Sequence, residues 1–262
     1  MSGLIKEELL GTIKKKRFII LTALALIGVV ITLIDAKTGV WNDLTYLFAM
    51  QGYLSKVFIH AVTVTVILSV YRRKYTRSSI LQTEAHDQKR SAGVLARAIA
   101  GYVLIIACFL IFALLFVLLG LISGAHNTAA QTGQFMIYLS LYCLACLAAY
   151  SIALFWLYLT SFPAVPVIVY LISMAAVPLL FAGTGLYKTN FMLPACFLIP
   201  ALAADNEITH LMYSDPDAAC FIALVLQIVI PLLLAIFVFK LKKLKEENPE
   251  PKTTDETEVS SV

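Results

Sequence analysis

Charged residues make up only 14% of this 262-residue chain, against 60% hydrophobic residues. A domain that folds in water carries about 25% charged and roughly 45–50% apolar residues. A chain this apolar has too little polar surface to cover a globule, so its solvent is lipid. Six stretches, residues 18–34, 57–70, 99–122, 135–158, 165–181 and 221–239, contain no Lys, Arg, Asp or Glu. Chemistry is missing as well. No Gly-x-x-x-x-Gly-Lys-[Ser/Thr] run cradles a phosphate, so ATP hydrolysis by that route is excluded. There is no His-Glu-x-x-His and no Gly-x-Ser-x-Gly. The reading therefore has no catalytic, cofactor-binding or metal-binding residue, and the chain is not expected to be an enzyme. No internal repeat occurs, and no basic solvated domain for nucleic acid is present.

What charge there is lies unevenly. Seventeen of the twenty Lys and Arg fall in three groups: residues 6–17, residues 72–97 and residues 240–252. Only Lys37, Lys56 and Lys188 stand elsewhere. Lys and Arg are retained on the cytoplasmic side during insertion, so all three groups are expected there. An even number of crossings must then separate them. Anionic lipid of the inner leaflet is a secondary beneficiary of the same charge.

Near ~20 apolar residues cross the hydrocarbon as a helix, and the six runs follow that scale. Residues 1–17 place Leu4, Ile5, Leu9 and Ile13 at helical spacing among Lys6, Glu7, Glu8 and Lys14. That pattern suits an amphipathic helix on the membrane surface. Residues 18–34 form an uncleaved first crossing, and a short outer loop carries Trp41. The 57–70 run is the second crossing and 99–122 the third. A charge-free outer loop, 123–134, precedes the fourth crossing at 135–158. Thr160, Ser161 and Pro163 make a tight inner turn before the fifth, at 165–181. Residues 183–218 hold an apolar piece broken by Pro194 and Pro200, too short to span. A re-entrant outer segment fits it. The sixth crossing, 221–239, contains Pro231 as a kink. Residues 246–262, rich in Pro, Thr and Glu, read as a disordered cytoplasmic tail.

Polar residues inside the runs are few. His60 falls near the expected outer edge of the second crossing; ionisable groups at membrane depth are costly and mark function. Gln227 lies in the sixth crossing, where a helix–helix hydrogen bond is its ordinary role. Tyr138, Tyr142 and Tyr150 share a face of the fourth helix. His60, Tyr138, Tyr142 and Gln227 are the candidates for a substrate path. Cys143 and Cys146 are spaced C-x-x-C but sit in an apolar helix without a second pair, so they read as small packing residues. Cys196 and Cys220 flank the outer segment, and the sequence leaves their pairing open. The inner loop 72–97 carries more polar residues than anchoring needs. Residues 78–96 contain no proline and follow a helical pattern, so a cytoplasmic helix is expected, with Ser78, Glu84, His86, Asp87, Lys89 and Arg90 as its contact residues.

This layout resembles the permease subunits of ABC exporters, the type-2 permease family. The matching parts are residues 1–17, the six runs, the inner loop 72–97 and the outer segment 183–218. Many members open the inner loop with an acidic-Gly-Thr signature, where this chain has Tyr71-Arg72-Arg73-Lys74-Tyr75-Thr76-Arg77. The resemblance implies an all-α integral membrane protein of six transmembrane helices spanning residues 18–245, with both termini cytoplasmic in the cell membrane. It implies a coupling helix in the inner loop, a separate cytoplasmic ATPase that binds the ATP, and a second permease copy or paralogue. It implies export of a peptide, drug or lipid-linked molecule. The competing class is a non-transporting multi-span assembly or immunity factor.

Overall fold

A helix that is apolar on every side has no polar face to turn toward water, so it must be surrounded by protein or lipid. The computed structural model of the chain is built of such helices. It describes residues 53–54, 58–70, 90–124, 128–160, 162, 164–181 and 218–241, together with the helical positions Lys6, Leu10, Ala23, Ile27 and Val30. The described elements are α1 (Ile59–Val70), α2 (Arg90–Ser123), α3 (Ala129–Thr160), α4 (Ala164–Phe181) and α5 (Ala218–Leu241). No strand occurs among the described residues. Among the described residues three spans are long and apolar enough to cross a bilayer: Ser91–Ile122, Ala129–Thr160 and Leu224–Leu241. The chain has the helices of an integral membrane protein. The surface helix expected at 1–17, the first crossing, the inner segment up to Lys89, the outer segment 183–217 and the tail 246–262 lie outside the described residues, apart from the isolated positions named above.

The five elements correspond to five of the apolar runs, but two helices are longer than those runs. α2 begins at Arg90, nine residues ahead of the apolar run, and α3 begins at Ala129, inside the stretch expected to be outer loop. Backbone hydrogen bonding continues past the point where hydropathy falls, and the ends are set by caps. Thr128 and Gln131 form a reciprocal capping box at the start of α3. The Gln131 backbone N–H donates to Thr128 Oγ1 (3.3 Å), and the Thr128 N–H donates to Gln131 Oε1 (3.1 Å). Gly124 ends α2 with φ of 77° and an N–H bond to the Leu121 carbonyl (3.3 Å), a left-handed cap that a side chain would strain. The tight turn after α3 has its own ties: Thr160 Oγ1 donates to the Trp156 carbonyl (2.7 Å) and accepts from the Phe162 N–H (3.4 Å). Thr128→Ala is expected to cost about 0.5–2 kcal/mol of stability. Thermal unfolding in detergent micelles measures it; an unchanged midpoint would remove the cap from this account.

α3 is the hub. It packs against α1, α2, α4 and α5, and α1 also meets α2 and α4. Within lipid, burying apolar surface gives no drive for helices to associate, so close packing and interhelical hydrogen bonds must hold them. Aromatic rings fill the end of the bundle near the α2–α3 connection. Phe58 lies edge-on to Phe109 (centroids 5.5 Å apart) and 4.6 Å from Phe112. Phe116 stacks on Phe135 at 4.1 Å. Such pairs contribute about 0.5–1.5 kcal/mol each beyond burial. Outward, α2 presents Val103, Ile106, Leu110, Leu114 and Leu118, and α5 presents Ile222, Val225, Leu226, Val229 and Leu233, all exposed. These large aliphatic faces are suited to acyl chains.

Candidate functional site

With so few polar groups among the crossings, those that meet define the chemistry of the bundle. Among the described residues, two clusters form on α3, one near its middle and one toward its C-terminal end.

At the middle, α1, α3 and α4 converge. Thr63 Oγ1 donates to Cys146 Sγ (3.2 Å), and the thiol lies 3.9 Å from the Ile59 carbonyl, a weak contact. Cys146 is eighteenth of the thirty-two residues of α3, so Ile59 and its neighbour His60 lie level with the helix midpoint. His60, read from sequence position as near the outer edge of its crossing, packs beside the middle of α3. Its Nδ1 is 3.0 Å from the Tyr170 hydroxyl of α4, and the two rings are tilted with centroids 6.3 Å apart. Tyr170 is 8% exposed, Thr63 fully buried, and the His60 ring half-buried.

Toward the C-terminal end of α3, hydrogen bonds sew α2 to α3. Ser151 donates to the Leu147 carbonyl (2.9 Å), which leaves its oxygen to accept from the Tyr102 hydroxyl at 2.6 Å. The Tyr150 hydroxyl donates to the Arg97 carbonyl (3.1 Å), and the Tyr102 and Tyr150 rings meet edge-on at 5.8 Å. Gly101 makes this approach possible, because a Cβ there would strike the Tyr150 ring. Arg97 donates from Nη1 to the Tyr158 hydroxyl at 2.6 Å, and its guanidinium carbon is 5.6 Å from that ring's centroid. The Tyr158 ring rests 4.9 Å from Phe239 of α5. One basic residue thus ties the base of α2 to α3, and through Tyr158 to α5.

The candidates picked from sequence are distributed differently from one another. His60 joins the central cluster. Tyr142 is buried in the core at 5% exposure, and only the backbone of Tyr138 is described. Gln227 is half-buried on α5, four residues ahead of Pro231, which has no N–H to offer the Gln227 carbonyl. Cys108, Cys143 and Cys146 are free thiols, with Cys108 and Cys146 buried, in keeping with packing roles. Of the loop residues, Ser78, Glu84, His86, Asp87 and Lys89 lie outside the described residues, and Arg90 opens α2. Cys196 and the side chain of Cys220 also lie outside them. Sequence reasoning missed Thr63, Tyr102, Ser151, Tyr158 and Tyr170, since polar residues widely spaced along apolar runs give no signal of which will meet. No group of three or more His, Cys, Asp or Glu that could hold a metal occurs among the described residues.

No family model, curated protein or solved structure matches the chain.

Proposed function

We propose that this chain is the membrane-spanning permease subunit of an ATP-driven exporter, coupled to a separate cytoplasmic ATPase. In this reading six helices cross the cell membrane, both termini are cytoplasmic, and two permease chains, identical or paralogous, enclose the substrate path. The observation that carries it is the base of α2. This helix runs unbroken for 34 residues, about 51 Å at 1.5 Å per residue, against a hydrocarbon core of about 30 Å. It starts at Arg90, where the polar loop 72–89 ends, and its second turn is tied to α3 by Arg97 and Tyr158. A force applied to that loop on the cytoplasmic side has a rigid lever and a hydrogen-bonded attachment through which to move the bundle. An anchor alone needs neither.

The contact residues for the ATPase are Ser78, Glu84, His86, Asp87, Lys89 and Arg90. Phosphate binding and hydrolysis belong to the partner, in keeping with the missing phosphate loop. Affinity purification of the chain from membranes is expected to retain an ATPase, and the double reversal Glu84→Lys with Asp87→Lys to lose it while leaving membrane insertion intact. Retention of the same ATPase by the double variant would remove the loop as the coupling element. Purification of the wild-type chain with no ATPase at all would return the non-transporting assembly factor to first place.

A further inference from the structure

The faces of the bundle are not alike. Apart from Lys240 in the last turn of α5, the described exposed positions of α2 and α5 carry large aliphatic and aromatic residues. The less buried face of α1 consists of His60, Ala61, Val64 and Thr65, all half-buried, with Leu68 at its end. These positions recur at one- and four-residue intervals and so form one helical stripe. The opposite face, Ile59, Val62, Thr63, Val66 and Ile67, is fully buried. Acyl chains have no use for an imidazole and a threonine hydroxyl at the depth of the α3 midpoint, where a polar group facing hydrocarbon is costly.

The hydrogen bonds of His60 sharpen the point. Nδ1 is engaged by Tyr170. Among the described residues Nε2 has no partner, and it is not among the buried unsatisfied atoms, so it is not sealed inside the bundle. The bond to Tyr170 holds the ring by its Nδ1 side and leaves Nε2 available for a second partner. Every Lys, Arg, Asp or Glu among the described residues is basic (Lys6, Arg90, Arg97 and Lys240), so nothing in the described bundle favours a cation.

We infer that the α1 stripe from His60 to Thr65 lines a water-accessible recess reaching the middle of the bilayer. Its His60 Nε2 forms the hydrogen bond to an anionic group of the cargo. This deepens the permease reading and rests on its membrane-spanning half. It assigns the path to His60, bonded to Tyr170, and not to the buried Tyr142.

The test is thiol labelling of the full chain in membranes, with all five native cysteines replaced by alanine and one cysteine introduced at a time. His60→Cys is compared with the lipid-facing controls Leu110→Cys and Leu233→Cys. Val64→Cys, one turn along the same stripe, serves in its place if the histidine variant fails to fold. Two hydrophilic methanethiosulfonates are used, one sulfonate-bearing and one quaternary ammonium, each normalised to its rate with a free thiol. Position 60 or 64 is expected to react at least ten times faster than either control, and faster with the anionic reagent than with the cationic one. Rates no higher than the controls overturn the recess, including the case in which another helix covers the stripe. Equal or cation-favouring rates overturn the cargo class. Labelling at position 60 in a chain that retains no ATPase would keep the recess and dismiss the exporter. An ATPase-bound chain silent at position 60 would do the reverse.

Discussion

Gly101→Leu is expected to abolish the folded bundle, and Gly101→Ala to destabilise it by about 1–3 kcal/mol. The reason is local and steric. The glycine faces the Tyr150 ring so closely that even a methyl group would overlap it. The ring is 1% exposed and is held by its hydroxyl bond to the Arg97 carbonyl, so it has nowhere to retreat. Displacing it forfeits that bond, worth about 0.5–1.5 kcal/mol, and the edge-on contact with Tyr102. Alanine's better helix propensity, about 1 kcal/mol over glycine, offsets only part of the loss. Unfolding by sodium dodecyl sulfate from mixed micelles gives the numbers. Tyr150→Leu in the alanine background should recover part of the stability, because it removes the clashing ring, whereas Tyr150→Phe should not. Equal stability of wild type and Gly101→Ala would mean that α2 and α3 cross elsewhere.

The second large effect is expected at Arg97 and Tyr158. A hydrogen bond to a charged donor contributes about 1.5–3 kcal/mol, and the cation over the ring adds about 0.5–2 kcal/mol. Tyr158→Phe keeps the ring and loses the oxygen, so it should cost less than Tyr158→Leu, which removes both. Arg97→Gln should cost about 2–5 kcal/mol by the same terms. The double variant Arg97→Gln with Tyr158→Leu should fall short of the sum of its singles, because each already breaks the shared contact. Arg97→Lys keeps the charge without the planar fork and is expected to restore only part. Additive losses in that cycle would show the two residues to be independent. If the base of α2 is the lever proposed above, Arg97→Gln should also lower transport in membranes more than it lowers ATPase recruitment. A parallel fall in both would confine Arg97 to stability.

Much of the fold was legible before any coordinates. Long charge-free runs can only be helices in lipid, since every backbone N–H and C=O must be satisfied within the segment. Five of the six runs coincide with α1 to α5, and Pro231 falls inside α5 as expected. The ends were less legible. Hydropathy locates the part of a helix that touches hydrocarbon, while the backbone ladder continues to its cap. The start at Ala129, inside the stretch read as outer loop, was therefore placed too late, although Thr128-Ala129-Ala130-Gln131 carried the capping signal in plain view.

The sequence by itself determined the solvent of this protein, its helical class and the uneven distribution of its positive charge. Those follow from composition and one-dimensional order, which hydrocarbon thickness and insertion electrostatics read directly. The tertiary structure alone decided which polar groups meet. His60 and Tyr170 are 110 residues apart, Thr63 and Cys146 are 83 apart, and Arg97 reaches Tyr158 across 61. An all-apolar helix has no amphipathic stripe to announce its inner face, so the sequence leaves its rotation about its own axis open. Packing fixes that rotation, through contacts such as Gly101 against Tyr150. With it come the place of His60 beside the middle of α3 and the burial of Tyr142.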